Sequence, residues 1–254
     1  MQRSLKRVVL DVETTGCRWE DFSDVERERL IRKADGDEDA ARRKLALSPL
    51  TGELVLIGTM DPDTGHARIH VRWPPSLPPL TQPLRSEVAT VALCAAVSAD
   101  PTACGVHVWP DEAELLRAFW VDAARYDQVI SFNGRAFDGP FLMIRSMVLG
   151  VEISRGLVPP RYNDAHLDLM DRLTCFGAMR GWHPLDFWCR RLGIPSPKDG
   201  GVHGADVERL WRAGDLASLC RYNFGDLRAT TALFRKYAVA FGKIQAIELP
   251  RDDR

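Results

Sequence analysis

Long apolar runs are missing from this chain. The longest, Val88 to Val97, has about ten residues, short of the ~18–20 that a membrane helix needs. It reads as a buried strand or a short helix, and no membrane association is expected. A net charge is missing too: 34 Lys+Arg face 35 Asp+Glu in 254 residues, leaving -1. With no global basic field, any contact with nucleic acid must rest on a local basic rim. No Cys-x-x-Cys occurs among the six cysteines, at 17, 94, 104, 175, 189 and 220. They suit neither a disulfide framework nor a zinc site and read as small buried apolar residues in a reducing compartment. The N-terminal segment carries Arg3, Lys6 and Arg7 but no signal-peptide cleavage pattern, so a cytoplasmic location is expected.

A hydrophobic fraction of 45% with 27% charged residues is that of a folded globular chain, not a disordered one. The length suits one large domain or two small ones. Arg7 to Glu13 reads as a buried strand ending in carboxylates, followed by Asp24 to Leu45, where 14 of 22 residues are charged with both signs interspersed. This stretch reads as a solvated helix packed along one narrow stripe, or as a mobile segment interrupted at Gly36. Glu53 to Gly58 and Ala67 to Trp73 read as two strands of a hairpin around Asp61-Pro-Asp-Thr-Gly. Five prolines between Pro74 and Pro83 mark an extended loop. Pro110-Asp-Glu opens a helix with apolar positions at Leu115, Leu116, Phe119 and Trp120. Gln128 to Phe132 reads as a strand and Pro140 to Leu149 as a helix ended by Gly150. After Asp164 the chain reads as wholly helical, over 168–178, 184–192, 204–213 and 215–239. The expected class is α/β, with a mixed five-stranded sheet flanked by helices and a helical C-terminal half.

Carboxylates recur where burial makes them costly. Asp11 and Glu13 lie two apart on one strand and share a face. Asp138 follows the strand that ends at Phe132. Asp226 lies four residues after Tyr222 on a helix, which puts phenol and carboxylate on one side. Each has a plainer reading taken singly: Asp11 as a strand-end turn residue, Asp138 as a helix cap before Pro140, Tyr222 and Asp226 as a buried phenol and a surface acid. Four carboxylates in one pocket could not all stay ionised without compensation. Divalent cations provide it, and oxygen-only ligands favour Mg²⁺ or Mn²⁺ over zinc. Two such ions clamp the attacking and leaving oxygens of a phosphodiester during in-line displacement.

These segments resemble the DEDD superfamily of 3′–5′ exonucleases, which have a ribonuclease H-like fold. The first motif is Leu10-Asp11-Val12-Glu13-Thr14-Thr15-Gly16, the second Asn133-Gly-Arg-Ala-Phe137-Asp138, the third Tyr222-Asn-Phe-Gly-Asp226. The histidine subclass would carry His five residues before the last Asp, where this chain has Arg221; the tyrosine subclass is the better match. Ala46-Leu-Ser-Pro-Leu-Thr-Gly, His166-Leu-Asp168-Leu-Met-Asp and Leu192-Gly-Ile-Pro followed by Gly200-Gly-Val-His-Gly narrow the resemblance. They point to predicted exonucleases related to the proofreading domain of family-B DNA polymerases. The resemblance implies a single exonuclease domain over 1–254, with its core at about 5–240 and a charged insertion at about 20–46. It implies that Asp11, Glu13 and Asp226 hold one metal and that Asp11 and Asp138 hold a second. It further implies that Glu13 and Tyr222 orient the attacking water, and that Asn133 and the backbone around Thr14 contact the terminal nucleotide. A phenol of ordinary pKa near 10 suits positioning better than proton abstraction.

The expected activity is removal of nucleoside 5′-monophosphates from single-stranded 3′ ends, DNA before RNA, with two Mg²⁺ or Mn²⁺ ions. The rival readings are an RNA-directed exonuclease, a structure-selective endonuclease, or a binding module without turnover. Other residues attract structural readings. Asp168 suits a helix cap better than catalysis, His183 and His203 sit beside turns, and Trp182 and Trp188 suit a core better than base stacking. Arg145 either reaches a phosphate or braces the sheet. Arg42, Arg43 and Lys44, like Arg190, Arg191 and Lys198, read as solvated faces or phosphate holders. The 24–45 segment is a candidate docking arm for a protein partner.

Overall fold

The computed structural model describes residues 5–79 and 87–248. Its centre is Arg7–Gly16 (β1), whose alternate residues serve opposite sides of a sheet. Val8, Leu10 and Val12 pack with Leu115, Leu116, Phe119 and Phe141 on one side, while Val9 joins Leu219, Leu227 and Leu233 on the other. Gly52–Met60 (β2) pairs antiparallel with β1, and Ala67–Arg72 (β3) closes the expected hairpin, Met60 opposite Ala67. Its turn is held by Asp61 Oδ1, which accepts from the amides of Asp63 and Thr64.

Three crossovers extend the sheet with parallel strands. Helix Glu87–Val97 (α3) leads to Cys104–Trp109 (β4) beside β3, and Glu112–Ala123 (α4) leads to Gln128–Ser131 (β5) beside β1. Asp138–Val148 (α5) leads to His166–Asp168 (β6) beside β5. The strand order is β4-β3-β2-β1-β5-β6. Among the described residues the sheet thus has six strands, not five. The apolar run at 88–97 is a helix, and β4 and β6 are the strands the sequence pattern concealed. β6 also corrects the wholly helical reading after Asp164.

Leu169–Leu173 (α6), Leu185–Arg191 (α7), Val207–Arg212 (α8) and Leu216–Glu248 (α9) complete the chain. The first three are shorter than their periodicity predicts. After Leu173, Cys175 and Phe176 adopt positive φ (50° and 56°), which ends the turn. α9 lies across β1, β2 and β3 and buries Leu219, Leu227, Leu233 and Phe234, each worth about 1.5–3 kcal/mol. The charged segment forms two short helices, Asp24–Arg32 (α1), capped by a Ser23/Glu26 box, and Glu38–Lys44 (α2), capped by Asp37. The break falls at Asp35 and Gly36, both of positive φ. Residues 74–79 of the proline stretch run without regular structure; its remainder lies outside the described residues. Among the described residues no helix is long and apolar enough to cross a membrane.

Candidate active site

Period-two alternation aims Asp11 and Glu13 at the side of the sheet covered by α9. There Asp226 joins them: one oxygen from each of the three carboxylates lies within 4.8 Å of the others. α9 can come this close because Gly58 stands opposite Asp11 on β2. A Cβ at Gly58 would fall 1.8 Å from Asn223 Oδ1 and 2.9 Å from Leu227 Cδ1. Asn223 fills the space, with Nδ2 donating to Asp11 Oδ2 at 2.7 Å while its buried Oδ1 finds no partner among the described residues. One turn along, the Tyr222 hydroxyl donates to Asp226, as the four-residue spacing requires.

Asp138 enters from the other side of β1. Its Oδ1 accepts from the Val12 amide at 3.0 Å, the amide lying between Asp11 and Glu13. The cap reading is corrected here: α5 begins at Asp138 itself, and its N-cap residue Phe137 makes no side-chain cap bond. Asp138 is not one of the three clustered ligands, but its charge reaches both Asp11 and Glu13. Asn133, at φ 66°, opens the loop that leads to it. The Asn133 and Arg135 amides both donate to Asp168, at 2.9 and 3.0 Å. Asp168 also caps α6 through Met170 N. It therefore fastens the loop that delivers Asp138 and stands outside the cluster. His166 is buried between Ser131 Oγ (2.7 Å) and Leu157 O (2.6 Å). Thr14 Oγ1 donates to Ala46 O at 2.7 Å, tying β1 to the turn after α2.

Burial, then mutual repulsion, dominates the electrostatics. Asp11 is held well above the ordinary carboxylate range by desolvation and by Glu13, Asp226 and Asp138; Glu13 is raised by desolvation and Asp226. Desolvation lifts Asp138 to about 7 and Asp226 to about 6. Burial and the same carboxylates push the Tyr222 phenol far upward, so it stays protonated at neutral pH. Such a cluster ionises fully only when cations enter it. Its donors are all hard oxygens, and its neutral amide leaves an acceptor unpaired; both features fit Mg²⁺ or Mn²⁺.

Most of the remaining candidates serve the scaffold. Arg145 is buried and grips Glu112 with two bonds (2.8 and 2.6 Å), and Glu112 also accepts from Leu54 N. It braces the sheet. His203 caps a short turn with Asp206, and His183 stacks on Phe187. Trp188 packs against the core, but Trp182 is 60% exposed, against expectation. Lys198 pairs with Asp186 at 3.2 Å, close enough to Asp226 to stabilise its ionised form. Arg42 pairs with Glu38 and lies over Trp19. Asn223 is the site residue the sequence reading passed over. The available signal was its place inside the Tyr222–Asp226 turn, facing inward one residue after the tyrosine.

A mixed sheet in this order, with α9 laid across β1, β2 and β3, makes this a ribonuclease H-like α/β protein. Residues 84–251 match the family of predicted 3′–5′ exonucleases related to the exonuclease domain of PolB, and the chain belongs to that family. The matched span holds Asn133, Asp138, Tyr222 and Asp226 and begins after Asp11 and Glu13. No curated protein matches the chain.

Proposed function

We propose that this protein is a metal-dependent 3′–5′ exonuclease of the tyrosine subclass. It hydrolyses single-stranded 3′ ends, DNA in preference to RNA, and releases nucleoside 5′-monophosphates. The single domain spans 1–254, with its core at about 5–240 and its insertion at about 20–46, and works in the cytoplasm. The observation that carries this reading is the convergence of Asp11, Glu13 and Asp226 within 4.8 Å, from opposite ends of the chain. Asp11, Glu13 and Asp226 would hold one Mg²⁺ or Mn²⁺, and Asp11 with Asp138 a second. Bound ions supply charge neutralisation and Lewis acidity at the phosphate.

The chain's own groups do the rest. Asn223 fixes Asp11 by its 2.7 Å bond. Asp138, anchored on the Val12 amide, holds β1 in register with the loop after β5. Tyr222 keeps its proton, so it orients the attacking water with Glu13 and does not abstract a proton. Asn133 and the backbone near Thr14 contact the terminal nucleotide. Reading the phosphate and sugar in this way gives little sequence preference.

The test uses 3′-labelled and 5′-labelled single strands with Mn²⁺, beside a circular strand and matched RNA. Expected are labelled mononucleotides from the 3′ label, progressively shorter strands from the 5′ label, an intact circle and slower loss of RNA. Asp11→Ala and Asp226→Ala should abolish hydrolysis, with Tyr222→Phe milder because it removes no ligand. Wild-type turnover in either alanine variant, or cutting of the circle, refutes the assignment.

A further inference from the structure

The charged insertion contains a groove that the carboxylate cluster does not use. Arg29, Leu30 and Lys33 of α1 and its cap follow helical spacing and face Ala41, Lys44 and Leu45 from α2. Where the two segments approach, Ala34 and Ala41 fill little space. A cavity of about 510 Å³ opens there, walled by Phe22, Leu30, Leu45 and Leu50, within the ~300–1,000 Å³ that binding pockets occupy. Leu50 is 68% exposed, and neighbouring Leu47 is 64% exposed.

The rim is cationic, and its cations are exposed and, among the described residues, free of ion pairs. Elsewhere in the insertion Arg27 pairs with Asp24, Arg42 with Glu38 and Arg43 with Asp37. Among the described residues no carboxylate is within ion-pair distance of Arg29, Lys33 or Lys44. The rim's own carboxylate, Glu26, is turned to the Ser23 amide and hydroxyl (2.8 and 2.7 Å). Three unpaired cations over an aliphatic floor ask for an occupant with negative charge and apolar side chains together.

We infer that this groove docks an acidic segment of a partner protein. One or two aliphatic or aromatic side chains seat between α1 and α2, with carboxylates over Arg29, Lys33 and Lys44. The floor argues against a nucleic-acid strand: Phe22 is its one aromatic, and aliphatic side chains give bases nothing to stack on. The groove is also joined to β1. A Cβ on Gly16 would lie 2.9 Å from Leu45 Cβ, and Ala46 O accepts from Thr14. A docked segment is thereby held at the end of the strand that carries Asp11 and Glu13. The inference stands whether or not that cluster hydrolyses nucleic acid.

A random-peptide phage library is selected on the whole chain, and enriched peptides are measured by fluorescence anisotropy beside an oligothymidylate. Expected enrichment is for two or more Asp or Glu flanking Leu, Ile or Phe. Affinity for such a peptide should fall about tenfold or more in the Arg29→Glu/Lys33→Glu variant and weaken with added salt. Leu50→Asp, at an exposed position that tolerates charge, should weaken it separately. Oligothymidylate binding and the melting temperature should not change. No enrichment, enriched peptides without this pattern, or equal binding to both variants overturns the inference. So does a charge-reversal variant that loses oligothymidylate and keeps the peptide, which would assign the rim to nucleic acid.

Discussion

Replacing Asp226 by Asn should stabilise the metal-free protein while destroying its response to metal. In the fold the Asp226 carboxyl titrates at about 6, against an ordinary 3.8, chiefly because it is desolvated. A group raised in this way favours its protonated form when folded. Its ionisation therefore costs nothing below about pH 4 and its full amount above about pH 6. The displacement corresponds to about 3 kcal/mol. Partial exposure of the side chain and relaxation around it reduce the recoverable part to about 1–2 kcal/mol. For a chain of this size that is about 3–6 °C in melting temperature. Asparagine keeps an acceptor for the Tyr222 hydroxyl, so the hydrogen bond survives. By circular dichroism at pH 8 in a chelator, the variant should melt above the wild type, and the gap should narrow below about pH 6 and close only below about pH 4. With Mn²⁺ at a hundredfold excess over its dissociation constant the order should reverse, since binding adds about 2.7 kcal/mol to the wild type alone. A variant that melts lower in chelator at pH 8, or gains as much from Mn²⁺ as the wild type, refutes the reasoning.

Gly58→Ala should cost about 1–3 kcal/mol by overpacking, since its Cβ would meet Asn223 Oδ1 at 1.8 Å; urea midpoints read the loss, and Mn²⁺ stabilisation should shrink with it. Arg145→Met removes both short bonds to the buried Glu112 carboxylate, leaving it the Leu54 amide and Arg72 at 3.9 Å, and should cost about 3 kcal/mol. Adding Glu112→Gln, which still offers an acceptor to Leu54 N, should restore most of that in the same titration. Burial would raise Asp122, but hydrogen bonds from His70 and Arg68 outweigh it and bring it down to about 2. The resulting stability, on the order of 2 kcal/mol, is present above about pH 4 and lost as pH falls toward 2. Acid unfolding should therefore flatten between those values in Asp122→Asn, and an unchanged profile would contradict the pairing.

Two features of the site were legible because they rest on fixed periods. Alternation along β1 puts Asp11 and Glu13 on one side, and a turn of helix puts Tyr222 beside Asp226; neither depends on distant contacts. Asn223 was harder to read: its place inside the Tyr222–Asp226 turn was the one cue, and an uncharged amide there has no evident role until one knows that Gly58 lies beneath it. The six-strand sheet was misjudged for a similar reason. β6 has three residues, His166–Asp168, and its last one does cap a helix, as the pattern suggested, while ending a strand that only pairing with β5 reveals. β4 does alternate, with Cys104, Val106 and Val108 buried between Gly105, His107 and Trp109, but it follows an apolar run that reads equally as strand or helix, and only pairing with β3 sets it apart. Trp182 lies in a stretch without regular structure before α7 begins at Leu185, so the spacing that suits a core does not bury it.

The bond between Asn223 and Asp11 joins residues 212 apart in sequence. During synthesis the β1 carboxylates must therefore wait through that whole separation before α9 supplies Asp226. A ribosome-bound or truncated product ending before α9 would carry Asp11 and Glu13 without Asp226, the third carboxylate of the cluster. The order of the chain thus delays completion of the carboxylate cluster until α9 has been made.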